Sequence, residues 1–230
     1  LEGAIGSQEM PSMISELSRA ARLVVVNTHH ARSVVLEAGG TTTSVIPLAV
    51  PSRADLHLVD SGPTDPPTIS TFGILSATKR PDLVVDAFAE LRRERRATLA
   101  FVGPSDDEVR AALESRAASA GLLSDVVFTG HVDARGYGRW LSRTSVAVQL
   151  RREQNGARSG AIADAHGASI PVVTDMEAEQ DAAAAFVEPG CSASALAGAI
   201  AEALDRPRPR YEHPSYDDVA GRLVTALEDS

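Results

Sequence analysis

The chain has one cysteine, Cys191, among 230 residues. An intramolecular disulfide and any cysteine-based zinc site are therefore excluded. No apolar run reaches membrane-spanning length, and no signal-peptide pattern is read at the start. Basic charge is not in excess: 22 Lys+Arg face 31 Asp+Glu, for a net charge of −9. No broad basic face is available for a phosphate backbone, so nucleic acid is not an expected partner. The cluster Arg92-Arg93-Glu94-Arg95-Arg96 reads as the solvated end of a helix. The sequence has no Gly-x-Ser-x-Gly elbow, no P-loop and no G-x-G-x-x-G fingerprint. A nicotinamide-dependent Rossmann enzyme is disfavoured on that ground. His29 and His30 are adjacent, so on a helix or strand they point apart. His57, His131, His166 and His213 show no ligand spacing. Neither a metal site nor a cofactor is expected.

The chain is 43% apolar and 23% charged, as a soluble globular protein should be. Its length suits one large domain or one and a half ordinary ones. It opens at Leu1 rather than Met, and is expected to be a fragment or a processed product. Short solid apolar runs alternate with amphipathic stretches. Residues 23–27 and 44–50 read as strands around a helix at 28–38. Residues 51–67, rich in Pro, Asp and Ser, read as a linker. Strands are then predicted at 68–74, 98–103, 126–129, 146–150, 171–174 and 185–188. Helices follow at 81–91, 106–120, 137–142, 159–168, 177–184 and 194–204. Val84, Phe88 and Leu91 mark the apolar face of the first of these helices, and Val109, Leu113 and Ala117 that of the second. Trp140 and Tyr137 sit at helical spacing and read as core residues. Six strand–helix units in a row predict an α/β fold, a Rossmann-like doubly wound parallel sheet. Solid apolar runs are what strands buried on both faces require. A last helix over 216–227 has no strand after it.

The stretch Asn155 to Thr174 carries the most chemistry. The strand 146–150 feeds a Gly/Ser loop and then a helix start. Such a loop presents free backbone N–H groups and a partial positive charge, which can hold a phosphate. Asp164, further along that helix, is placed to accept from ribose or sugar hydroxyls. A nucleotide or nucleotide-sugar site at the carboxyl edge of a parallel sheet is the implied function.

Four segments carry a family resemblance. They are Phe72-Gly-Ile-Leu-Ser-Ala-Thr-Lys79, Phe101-Val-Gly-Pro104, Phe128-Thr-Gly-His-Val-Asp133, and Asn155 through Val173. Residues 68–204 resemble the donor-binding, C-terminal domain of a GT-B glycosyltransferase of the retaining family 4 type. Val24 to His30, Val45 to Pro51 and the last helix resemble the end of the N-terminal domain and the crossings between domains. The resemblance implies the tail of an N-terminal acceptor domain at 1–50, a linker at 51–67, a donor-binding domain at 68–205 and a crossover helix at 211–230. It implies transfer of a sugar from a nucleotide-diphosphate donor to a glycan, lipid or small-molecule acceptor. It further implies the remaining N-terminal domain as a partner, a chain inactive in isolation, and a cytoplasmic location or peripheral membrane attachment through that domain. Gly73 would end the first strand of the site, and Lys79 would be the cation on the diphosphate. Ser159 and Gly160 would supply helix N–H donors, and Arg158 a second cation. Asp164 would reach the ribose, with Gly130, His131 and Val132 beside the base. The chain also departs from the family pattern. Ile74 stands where an Arg is usual, Ser169 where a Gly is usual, and Asp164 is a shortened second acid. Gly156 and Ala157 stand where the first acid belongs, so Glu153 is the nearest carboxylate and sugar discrimination should be poor. A catalytically silent nucleotide-sugar-binding or partner-stabilising homologue is the alternative.

Overall fold

The computed structural model describes residues 10–40, 42–60, 62–153, 158–211 and 214–230. The described residues form two compact units, one drawn from 1–49, 156–158 and 213–230, the other from 50–155 and 159–212. The first unit opens with helix α1 (Met10–Ala20), which the sequence reading does not include. Strand β1 (Val24–Val26) leads to α2 (His29–Glu37) and β2 (Thr43–Val45), and the two strands pair in parallel. Thr28 starts α2 by accepting the Ala31 N–H at 3.0 Å, an N-cap bond.

The second unit is a six-stranded, all-parallel, doubly wound sheet with helices on both faces, as the sequence reading expects. Its elements are β3 (Thr68–Phe72), α3 (Pro81–Leu91), β4 (Thr98–Val102), α4 (Asp107–Ser119), β5 (Val126–Phe128), α5 (Ala134–Arg143), β6 (Thr144–Gln149), α6 (Gly160–Gly167), β7 (Val172–Thr174), β8 (Ala185–Phe186) and α7 (Ala193–Asp205). The strand order is β5-β4-β3-β6-β7-β8. The chain winds outward one way through β5, returns to β6, and winds the other way. The reversal lies between β3 and β6. Strand ends at such a switch point leave a crevice on the carboxyl side. A final helix, α8 (Tyr216–Glu228), belongs to the first unit and starts with a capping box between Ser215 and Asp218.

Alternation along the strands divides the core of the sheet. Ile69, Leu99, Phe101, Val146 and Val148 join the cluster with α3, α4 and α7 residues such as Val84, Phe88, Leu113, Leu196 and Ile200. Phe72, Ala100, Val102 and Ala147 join the other cluster, with Leu141 of α5 and Ile162 and Ala165 of α6. Both faces are covered, so the strands are mostly apolar, and the buried hydroxyls of Ser70 and Thr144 hydrogen-bond to each other at 2.8 Å.

Three elements differ from the sequence reading. The helix expected at 177–184 is a 3-10 turn, Glu177–Ala182. The strand at 44–50 stops at Val45. Residues 51–60, linker-like in composition, are packed: Leu56 is buried in the α5–α6 cluster, and the Val59 N–H donates to Ser142 Oγ at 2.8 Å. Gly138 of α5 makes room for this segment, because a Cβ there would lie 2.2 Å from the Leu56 carbonyl oxygen.

Candidate functional site

Three strand ends meet at the carboxyl edge of the sheet. Gly73 follows β3 with φ +91° and donates its N–H to the Val102 carbonyl at 3.0 Å. Gly103 follows β4 with φ +144°, and a Cβ there would lie 2.3 Å from the Gly73 carbonyl oxygen. Only glycine permits that approach. The Gly103 N–H donates to Thr129 Oγ1 at 3.2 Å, and Gly103 bridges to Gly130 beyond β5.

Lys79 ends a 3-10 turn, Ala77–Lys79, between β3 and α3. Its side chain folds back over the glycines. Nζ donates to the Phe72 carbonyl at 3.0 Å, and a Cβ on Gly73 would stand 2.7 Å from Nζ. Burial holds the ammonium pKa below its usual value, with the charge of Arg151 pushing the same way. Among the described residues Lys79 has no ion-pair partner.

The turn carrying Lys79 is fastened from two sides. The Arg152 N–H donates to the Thr78 carbonyl at 2.7 Å. Arg80, in the left-handed region at φ +52°, donates from Nη1 to Asp175 Oδ2 at 3.1 Å. Asp175 follows β7, is fully buried, and accepts the Arg151 N–H through Oδ1 at 2.8 Å. One carboxylate thus ties the ends of β6 and β7 to the lysine turn.

On α6, Asp164 Oδ2 accepts the Tyr137 hydroxyl at 2.8 Å. The Tyr137 ring meets Phe72 edge-on, with centroids 5.4 Å apart. Burial raises the Asp164 pKa, and the Tyr137 bond partly opposes it. Tyr137 is pushed far up by burial and by the Asp164 charge. Tyr137 is therefore a core residue, as its spacing suggests, and also the partner of the ribose-binding candidate.

The start of α6 does not present all its N–H groups. Ser159 is the N-cap residue, and its side chain makes no capping bond. Its N–H donates to Glu179 Oε1 at 2.9 Å. Glu179 lies in the 3-10 turn after β7 and is only 3% exposed. Ser159, expected to offer its N–H to a phosphate, instead has an internal carboxylate on it. Gly160 opens the helix, is exposed, and has open space where a Cβ would be.

The other candidates are more dispersed. His131 is exposed, and Val132 packs on the α5–α6 cluster. Asp133 caps α5 by accepting the Gly136 N–H at 2.6 Å. Glu153 is exposed. Gly156 lies outside the described residues, and Arg158 falls within the first unit. The sequence reading missed Arg80, Asp175 and Glu179, which have no motif around them. Among the described residues no group of three His, Cys, Asp or Glu side chains is placed to hold a metal, and no helix is long and apolar enough to cross a membrane.

A family model described as glycosyl transferases group 1 matches residues 66–206. No curated protein matches the chain by sequence. Among solved structures, Anabaena HepE in complex with UDP and glucose superposes with a TM-score of 0.81 at 16% identity, covering 97% of this chain and 68% of that one. Sucrose-phosphate synthase from Thermosynechococcus elongatus gives a TM-score of 0.73 at 20% identity, covering 100% of this chain and 63% of that one. The galactosyltransferase WaaB of the lipopolysaccharide outer core, in its apo form, gives 0.71 at 13% identity, covering 92% and 63%. At these identities the likeness is one of fold.

Proposed function

Because the chain belongs to the group 1 glycosyl transferases, we propose that its second unit is the donor-binding half of a retaining enzyme that uses a nucleotide-diphosphate sugar. The observation that carries this reading is the Lys79 ammonium. It is partly buried at the carboxyl edge of β3 and bonded to a backbone carbonyl, with no carboxylate paired to it among the described residues. Burying a cation without a counter-ion is costly, and a diphosphate would supply one.

In this reading the bond between the sugar C1 and the diphosphate oxygen breaks, and its electron pair stays on the diphosphate. Lys79 is fixed where that negative charge grows, the electrostatic arrangement that stabilises such a transition state. Asp164, steadied by Tyr137, accepts from the ribose hydroxyls, and Gly130 to Val132 line the base. HepE, solved with UDP and with UDP-glucose, supports a uridine nucleotide as the first donor to try. The acceptor is a glycan, a lipid or a small molecule.

A second reading, a silent nucleotide-sugar-binding homologue, is favoured by one observation: the Glu179 carboxylate on the Ser159 N–H. Thermal unfolding of the full chain with UDP, GDP and their sugar conjugates tests the shared premise. A ligand at 100 times its Kd stabilises by about 2.7 kcal/mol. Stabilisation by none of them would overturn the donor-site reading. Transfer with the anomeric configuration kept, read by NMR of the product, separates the enzyme from the silent homologue.

A further inference from the structure

The opposite, amino edge of the sheet has a cavity of its own. It measures about 250 Å3, and Arg53, Val59, Asp60, Ser142, Ala168 and Arg208 are among its lining residues. Ser142 lies just before β6 and Ala168 just before β7, so the cavity sits where those strands begin. Sites for drug-sized ligands run to about 300–1,000 Å3. This one is small for a nucleotide sugar and suits a small anion.

Its walls are fixed by close approaches. Gly138 of α5 and Gly167 of α6 both leave room for the segment 51–60, because a Cβ on Gly167 would lie 2.2 Å from the Pro51 carbonyl oxygen, as one on Gly138 would from that of Leu56. Ser142 Oγ, which accepts the Val59 N–H, donates in turn to the Gly138 carbonyl at 2.9 Å. Arg208 enters from the strap after α7, Arg206-Pro-Arg-Pro-Arg210. Pro209 restricts Arg208 to extended backbone, and Pro207 has its own φ fixed. The strap is therefore stiff where it presents the side chain.

Arg208 Nη2 donates to the Thr144 carbonyl at 2.7 Å and Nη1 to the Ala168 carbonyl at 3.4 Å. A cation suits the carbonyl that follows α6, but these bonds use only two of the five N–H groups of a guanidinium. Among the described residues Arg208 has no ion-pair partner. Burial and the charge of Arg53 both hold its pKa below the usual value. Arg53 meets Asp60 at 3.4 Å, and that carboxylate is fully exposed, so water screens the pair. Two cations and one exposed carboxylate leave the cavity with positive charge in excess, in a chain whose net charge is −9.

We propose that this cavity is a phosphate site, in which Arg208 and Arg53 share the oxygens of a phosphate group, free or esterified. Guanidinium forks match phosphate geometry. An occupant neutralises the crowded cations and fastens the strap to the segment 51–60. The site is separate from Lys79 and does not rest on the donor-site reading.

Thermal melts and calorimetric titration of the full chain test this, with inorganic phosphate and glycerol 3-phosphate as probes and sodium chloride at matched ionic strength as the control. The melting temperature should rise with phosphate above the chloride control. In folded Arg208→Met the affinity should fall at least about tenfold. Arg53→Met removes a side chain 59% exposed, so the fold should tolerate it, and it should weaken binding several-fold. Asp60→Asn should tighten binding, because the competing carboxylate is gone. All three effects should persist in a Lys79→Ala background, where the other edge of the sheet offers no lysine. Glycerol 3-phosphate binding at least as tightly as inorganic phosphate identifies an ester as the occupant, and weaker binding identifies the free ion. No rise above chloride, unchanged affinity in R53M or in folded R208M, or a phosphate effect that K79A alone abolishes would overturn the proposal.

Discussion

Replacing Arg80 by Met should cost more stability than any exposed substitution in the chain. Asp175 is fully buried; its Oδ2 accepts from Arg80 Nη1 at 3.1 Å and its Oδ1 from the Arg151 N–H at 2.8 Å. Methionine keeps most of the Arg80 stem and removes the charge. Asp175 then keeps a backbone bond but loses its counter-ion, in a place water does not reach. Breaking one side of a buried pair costs about 3–5 kcal/mol; the surviving bond to Arg151 puts the expected loss at the lower end, about 3 kcal/mol. Asp175→Asn in the same chain should restore most of it, because a neutral amide still accepts the Arg151 N–H and no longer needs a cation. The two substitutions would then be strongly non-additive, as residues in contact are. Urea unfolding measures both, provided the slope is unchanged and the midpoint alone moves. Nucleotide affinity should fall with R80M as well, since Arg80 anchors the turn that aims Lys79. A loss below about 1 kcal/mol, or an additive double variant, would refute the idea that this buried pair holds the lysine turn.

Gly103→Ala should cost about 1–3 kcal/mol and weaken nucleotide binding, because its Cβ would collide with the Gly73 carbonyl oxygen 2.3 Å away; a melt and a titration on one sample read both effects. Lys79 has a folded pKa below the 10.5 of a free lysine, so nucleotide affinity should decline as pH rises through that depressed value. Over the same window, up to 10.5, this group's contribution to folding stability rises with pH, because the unfolded chain holds the proton longer; Lys79→Ala should abolish both trends, and unchanged pH profiles would remove Lys79 from the site. Asp164 has a folded pKa above the ordinary 3.8. Its contribution to stability is full below 3.8 and lost as pH rises through the folded value. Asp164→Asn should therefore melt no lower than the parent at neutral pH while binding nucleotide more weakly, and a lower melting temperature with unchanged affinity would make Asp164 purely structural.

The alternation from β3 to α7 is legible because a parallel sheet covered on both faces demands apolar strands, and the runs Leu99–Val102 and Val146–Val148 show that locally. Gly73, Lys79 and Gly130 enter through the family resemblance rather than through any local pattern; in the structure Gly73 and Gly130 follow β3 and β5 and Lys79 ends the turn before α3, at the edge where a parallel sheet leaves a crevice. The packing of residues 51–60 is not, because it depends on Ser142 and Gly138, some eighty residues away. Helix α1 escapes notice although Met10, Met13 and Leu17 recur at helical intervals, since no capping residue or glycine stop frames them. Asp175 and Glu179 look like surface acids in an acidic, glycine-free loop. They are buried only because the carboxyl ends of β6 and β7 bring Arg80, Arg151 and Ser159 to them. Tyr137 is read correctly as a core residue from its spacing, but its bond to Asp164 joins α5 to α6, which no periodicity within either helix encodes.

The most direct test of the account is a crystal structure of the full chain soaked with a nucleoside diphosphate, UDP first. The account predicts phosphate oxygens within ion-pair reach of Lys79 Nζ, above Gly73 and Gly103, and ribose hydroxyls on Asp164. A well-ordered nucleotide bound anywhere else, with Lys79 still bonded to the Phe72 carbonyl, would contradict it.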